Sequence, residues 1–284
     1  IKDIVKKDLK VDEKRIASIN TKTKGVVKGI YPTIKPLRAI SWLLNNAYDD
    51  GTPLYFYETV KNGIKFESQK EMFEKDDYTT YELKGFFAAA KGTKGYYDEL
   101  KHRLMSLSSP LNMSQFFQIG TGVYGSTLNT IDIANKKFEK SSYGYKNEKL
   151  NKMDPYSKND KVNDQTYDEL KDAKNYYVSL NTGSYDDIGN FQSPLNPTIL
   201  KGESHYKNLG FNTFETVING DFELEVGSIV QLNISKTGSE ADTMIDKYLS
   251  GRYLVRKIVS TFEEVFEQRV TLQKDSVGED IDAA

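Results

Sequence analysis

The chain has 284 residues, 39 basic against 41 acidic side chains and a mean hydropathy of −0.60, which excludes the disordered and membrane-embedded classes. The near-cancelling charge argues against a general nucleic-acid binder held by phosphate contacts, and the longest apolar run, Phe86 to Ala90, is far below the roughly 18–20 residues that span a bilayer. With no cysteine and only two histidines, His102 and His205, disulfide scaffolds, thiolate nucleophiles and Cys/His zinc sites are excluded.

The chain opens on Ile1 without an initiator Met or the apolar region of a signal peptide, as expected of a processed protein or a piece of a longer one. Residues 1–38 hold eleven Lys or Arg against four acids, and residues 39–83 hold four against nine. Ile1, Ile4, Val5 and Leu9 share a helical stripe, so the lysines opposite read as a solvated face rather than a nucleic-acid arm. A second helix is predicted from Pro36, with Leu37, Ile40, Leu43, Leu44 and Ala47 at helical spacing, Trp42 near the stripe's edge, and Asp49-Asp50-Gly51 as the stop. Two β-favouring runs follow, Leu54–Thr59 and Ile64–Glu67, with Asn62-Gly63 between them. They read as a hairpin against which the helix packs.

From 84 to 135 no period is sustained, and Met113–Ile119 reads as a strand. Residues 139–165 carry one Leu, one Met and one Val and read as an exposed loop. The C-terminal part holds the clearest β signal. Phe214–Ile218, Asn219-Gly220 and the alternating Phe222, Leu224 and Val226 form a predicted hairpin. Then come Ile229–Ile234, Arg252–Ser260 and a last strand with Phe266, Val270 and Leu272 on one side. The thirty-three Tyr and Phe residues fit this β content. The expected fold class is α+β: a small helix-plus-hairpin domain (1–83), a mixed β region (84–205) containing a long exposed insertion at about 139–165, a C-terminal antiparallel tube-like β-barrel (206–276) and an acidic tail (277–284).

Few strings carry chemistry. Gly120-Thr121-Gly122-Val123-Tyr124-Gly125 matches G-x-G-x-x-G, but no βαβ context surrounds it, and it reads as a turn between strands. His102 and His205 read as surface histidines, because no nucleophile elbow accompanies them. Forty-one acids always permit a pair at glycosidase spacing, which singles out none. Tyr143, Tyr145, Tyr176, Tyr177 and Tyr185 lie among Ser, Asn and Gly, the composition of adaptable binding loops, and read equally as packing aromatics. No catalytic, cofactor-binding or metal residue is assigned, and no cofactor is expected.

Two blocks resemble a known family. Pro36-Leu37-Arg38-Ala39-Ile40-Ser41-Trp42-Leu43 through Gly51, Leu54-Tyr55-Phe56-Tyr57-Glu58, Gly63 and Phe66 is similar to the helix-then-hairpin element of contractile-tail hub proteins. That group comprises the myovirus baseplate hub, the late-control D family and the hub half of type VI secretion spikes. The second block runs through Asn219-Gly220-Asp221, Leu224-x-Val226-Gly227-x-x-Val230, Ser250-Gly251-Arg252-Tyr253-Leu254-Val255 and Val270-Thr271-Leu272-Gln273-Lys274-Asp275-Ser276.

The resemblance implies a structural tail protein, not an enzyme: a homotrimer whose tube-like β domains form a pseudo-sixfold ring joining the tail tube to the cell-puncturing spike. Its implied partners are the spike, the tail tube or adaptor proteins and baseplate wedge proteins, with DNA passing through unbound and no membrane insertion by this chain. Its implied place is the virion's tail baseplate, assembled in the bacterial cytoplasm. Such hubs carry two barrels, so the resemblance implies that residue 1 enters after the first. The alternatives are a tail-associated peptidoglycan-degrading enzyme and a receptor- or glycan-binding module using the tyrosine loops.

Overall fold

A computed structural model of the chain describes residues 1–19, 34–45, 48–49, 51–84, 88–109, 115–133, 136–145, 161–162, 165–166, 173–180, 195–235, 245–246 and 249–274. In chain order these form β1 (Ile16–Ser18), α1 (Pro36–Asn45), β2 (Tyr48–Asp49), β3 (Thr52–Thr59), β4 (Gly63–Ser68), α2 (Gln69–Glu74), β5 (Asp77–Leu83), α3 (Lys94–Lys101), β6 (Leu104–Ser108) and α4 (Gln115–Gly120). They continue with β7 (Gly125–Asp132), β8 (Lys137–Gly144), β9 (Lys161–Val162), β10 (Gln165–Thr166), β11 (Asn175–Leu180), α5 (Leu195–Phe211), β12 (Asn212–Asn219), β13 (Ile229–Ile234), β14 (Gly251–Phe262) and β15 (Phe266–Lys274). The class is α+β. The chain divides into two units, one of Ile1–Glu71, Ser114–Glu148 and Lys161–Lys207, the other of Met72–Met113, Lys149–Asp160 and Asn208–Ala284.

In the first unit, the N-terminal stripe folds as a π-helical turn over Ile4–Asp8 that buries Ile4 and Val5. Helix α1 begins at Pro36, whose missing N–H costs nothing in a first turn, and buries Ala39 and Ile40 against Ile4, Val5 and Ile64, with Phe56 and Leu43 alongside. Trp42 and Leu37 stay at the surface. Strands β3 and β4 pair antiparallel from Leu54↔Ser68 to Thr59↔Gly63. The Thr59 hydroxyl accepts the Asn62 N–H at 3.2 Å, and Gly63 takes φ +73°, the left-handed bulge position of a short hairpin. β4 then pairs parallel with β1 through Ile16↔Ile64. A second sheet of this unit runs β11-β7-β8, and β9 and β10 form a small separate pair.

In the second unit, six strands in the order β5-β13-β14-β15-β12-β6 curl into a half-barrel. Its inner face buries Tyr81, Leu104, Ile218, Leu224, Val230, Leu232, Ile234, Tyr253, Val255, Val270 and Leu272. The two edge strands approach at one end, where Glu82 N–H donates to the His102 carbonyl at 2.8 Å and Glu82 bridges Arg103.

Several expectations are corrected. Phe222–Val226 is no strand. Gly220 N–H donates to the Phe266 carbonyl, the Asp221 carboxylate accepts the Glu223 N–H at 3.0 Å, and the chain turns there while still burying Leu224. The sheet is completed instead by β5 and β6, from before residue 109, and β5 pairs parallel with β13, so it is not wholly antiparallel. The strand expected over Met113–Ile119 is helix α4 over its described part, because the segment ends in a helical cap described below. Residues 139–144 of the expected loop belong to β8, which needs bulk on one face only and takes it from Tyr143. The expected boundary at 205/206 lies inside α5, as does the division between the two units at 207/208. Ala47, Tyr185, most of the expected loop and the acidic tail lie outside the described residues.

A methyl group on Gly63 would lie 2.3 Å from the Arg15 carbonyl oxygen, and the backbone there is left-handed. Gly63→Ala is therefore expected to lower unfolding free energy by more than about 1 kcal/mol, read from urea denaturation. An unchanged midpoint would refute that close approach.

Candidate functional site

The Ser250–Val255 string ties strand ends together. The Ser250 hydroxyl accepts the Ile234 N–H at 2.9 Å, and its carbonyl accepts a hydrogen bond from Lys274 Nζ at 3.0 Å. That ammonium lies 5.1 Å from the centre of the Tyr253 ring, and Lys274 is only 2% exposed. The Tyr253 hydroxyl donates to the Leu249 carbonyl. Arg252 reaches the other way. Its Nε donates to Asp77 Oδ1 at 2.6 Å, and its two terminal nitrogens donate to the Phe73 and Lys75 carbonyls at 3.0 and 2.6 Å. One guanidinium thus fixes the chain entering β5. In the closing Val270–Lys274 string, Gln273 Nε2 donates to Thr213 Oγ1 at 3.0 Å, linking β15 to β12.

The glycine string is the cap of a helix. Gly122 N–H donates to the Ile119 carbonyl and Val123 N–H to the Gln118 carbonyl, a Schellman pair with Gly122 at φ +80°. Thr121 N–H is taken by the Phe117 carbonyl. A phosphate cradle needs such amides free at the start of a helix. Here they are spent at the end of one, and the string leads into β7. The Thr121 carbonyl in turn accepts from the Tyr176 hydroxyl at 3.3 Å and from Lys207 Nζ at 3.4 Å, and Lys207 Nζ lies 2.5 Å from the Tyr176 hydroxyl.

The histidines part company. His102 is exposed at the C-terminus of α3, with Nδ1 3.1 Å from the Thr79 hydroxyl. His205, expected at the surface, is wholly buried on α5 beside Tyr145, their rings 5.8 Å apart. Neither of its nitrogens has a hydrogen-bond partner, and burial, with repulsion from Lys201, pushes its pKa down to about 3. Tyr143 and Tyr145 are buried too, whereas Tyr177 is 73% exposed on β11. Among the described residues the tyrosines do not form one surface platform. The neighbouring Ser204 hydroxyl donates to the Val123 carbonyl, which anchors α5 to the segment entering β7.

Sequence reasoning missed α2 and α3, although both carry start signals. Ser68 and Glu71 form a reciprocal capping box, Glu71 N–H to Ser68 Oγ at 3.1 Å and Ser68 N–H to the Glu71 carboxylate at 2.8 Å. Thr93 caps α3 through the Tyr96 N–H at 3.3 Å. Among the described residues, no group of three or more His, Asp or Glu is placed to hold a metal ion, and no helix is long and apolar enough to cross a membrane.

No protein-family model matches the sequence, and no curated protein matches it. Among solved structures, the chain is similar to one described as the tail protein from Neisseria meningitidis, at a TM-score of 0.46 and 8% identity over 93% of this chain. The matched region spans 63% of that protein's length.

Two outcomes follow from these contacts. Arg252→Ala leaves the Phe73 and Lys75 carbonyls without that donor and returns the exposed Asp77 carboxylate to water, and is expected to cost about 1–3 kcal/mol in chemical denaturation. A loss under about 0.5 kcal/mol would refute the staple. For His205 the folded pKa lies below the unfolded value of 6.5, so its contribution is full above about pH 6.5 and is lost as pH falls towards 3. Unfolding free energy should drop by several kcal/mol across that window, and the His205→Leu variant should show a shallower fall. A ring that titrates near 6.5 by NMR in the folded protein would contradict the burial.

Proposed function

We propose that this chain is a structural protein of a contractile phage tail, its central baseplate hub. In this reading it is a homotrimer that joins tail tube to spike and lines a path for DNA without binding it specifically. It has no catalytic role, and it assembles in the host cytoplasm with spike, tube or adaptor and wedge proteins as neighbours.

One observation carries the reading. The two sequence blocks similar to hub proteins each contribute to a hydrophobic cluster: Ala39, Ile40, Phe56 and Ile64 to one, and Leu224, Val230, Tyr253, Val255, Val270 and Leu272 to another. Within the second block, Ser250, Arg252, Tyr253, Gln273 and Lys274 each make a specific structural contact, so the string is explained by what a curled sheet requires. A near-neutral chain also suits a passage through which DNA must slide, because each additional phosphate contact strengthens binding.

Electron microscopy of the assembled particle tests the reading. The expected result is a threefold ring containing this chain at the junction of tube and spike. Native mass spectrometry of the full-length protein with its spike partner should give three copies per complex, and monomers alone would overturn the proposal.

A further inference from the structure

Strand β14 is longer than its neighbour on one side. It pairs with β13 only from Gly251 to Leu254, and a last pair of backbone bonds joins Val255 to Gly227 and Ser228. From Lys257 to Phe262 its pairing among the described residues is with β15 alone, after a bulge between Val255 and Lys257. The strand therefore continues as one side of a projecting hairpin with an open backbone edge. Lys257, Val259, Ser260, Thr261 and Phe262 are all exposed on it. The tip is stiffened by stacked rings, with Phe262 and Phe266 at 4.5 Å and 6° between planes and Phe222 at 4.5 Å from Phe266. An exposed edge of this length is a template for another strand unless something blocks it; no proline or inward-pointing charge does so here, and the one bulge lies at the start of the edge, before Lys257.

The charges along this edge identify what fits it. The run is Arg256-Lys257-Ile258-Val259-Ser260-Thr261-Phe262-Glu263-Glu264, basic at its start and acidic at its end, with all four charged side chains exposed. None of the four has an ion pair within the described residues. Laid antiparallel against a copy of itself about Ser260, Lys257 comes opposite Glu263, the first residue of the turn after Phe262, and Arg256, in the bulge, falls beside Glu264 further along that turn. In the same register Ile258 meets Phe262 and Val259 meets Thr261, apolar against apolar and β-branched against β-branched. A parallel arrangement would set like charges side by side. We propose that two copies of this chain pair edge to edge along residues 258–262, antiparallel and related by a twofold axis, with Lys257 of one copy meeting Glu263 of the other.

This pairing is a property of the free chain, and it neither needs nor supplies the threefold ring proposed above. A contact of one strand edge and two aromatic tips is small, so the dimer is weak, concentration-dependent and sensitive to salt.

Sedimentation velocity on the full chain, over a range of protein and salt concentrations, tests it. The expected result is a monomer–dimer equilibrium at low salt that shifts to monomer as salt rises. Lys257→Glu or Glu263→Lys alone should raise the dissociation constant at least tenfold, because each sets like charges opposite one another twice. The double variant should restore the dimer. All these positions are exposed, and unchanged melting curves would verify that the variants fold. Monomer at every concentration, a dimer indifferent to both single variants, or a double variant that stays monomeric would each overturn the proposal. A threefold ring in particles without this dimer would remove the pairing and leave the hub. The dimer without the ring would do the reverse.

Discussion

One buried ammonium group sets the register of the half-barrel. Removing a lysine from water costs several kcal/mol unless its charge is met, and Lys274 is met by the Ser250 carbonyl and the face of Tyr253. Ser250 also holds Ile234 through its hydroxyl, so the ends of β13, β14 and β15 meet at one point. Lys274 lies in the same row of β15 as Leu272 and Val270, which face the core. A slip of one residue would turn that row outward and bring Gln273, Thr271 and Arg269 in. The cost of leaving an ammonium inside without its carbonyl makes the correct register the cheap one.

The two units solve the problem of polar groups inside in different ways. The half-barrel holds each against a fixed backbone or side-chain partner, as mid-sheet Thr216 is held by the Ser106 carbonyl. Lys274 sits at one end, and at the other Gln268 accepts the Asp221 N–H at 3.0 Å and donates to Ser260. Between them the interior is otherwise aliphatic and aromatic. The first unit instead buries Ser126, Thr127, Asn129, Thr130, Ser204 and His205. Some are well satisfied, as Ser204 is by Val123, whereas His205 and the Ser126 hydroxyl have no hydrogen-bond partner in the structure. Such an interior is held less firmly, and its stability is tied to the protonation of one imidazole.

Much of this was legible in the residues, and the failures have physical causes. Helix α1 and the hairpin after it announce themselves through Pro36, a 3.6-residue stripe and Asn62-Gly63, because there local preference and tertiary packing agree. The same holds for β13, whose Val230, Leu232 and Ile234 alternate into the core. Helix α5 was hidden because much of its buried face, at positions 204, 205 and 208, carries Ser, His and Asn in place of the apolar residues that a periodicity search counts. Strand β8 was hidden for a related reason, since its inward bulk comes from tyrosine among serines and lysines. Around Asn219-Gly220 a genuine turn signal misled, because the strand expected beyond it gave way to a local turn at Asp221. The parallel partnership of β5 with β13 leaves no mark in either strand, since β13 shows only that it is buried and not by whom, and β5 buries Tyr81 alone while most of its residues stay exposed or half-buried.

That partnership also dictates when the second unit can fold. On a ribosome, β5 emerges early with its hydrogen-bonding edge bare, and its partner at Ile229 arrives only after the intervening segments of the first unit have been made. Arg252, which clamps the entry to β5, comes later still, and Lys274 after it. Closure must therefore wait until β15 has been made, with little to gain from the contacts of β5 in the meantime. Folding of this unit is a slow, late event, and truncation even a few residues before Lys274 would remove the step that completes it.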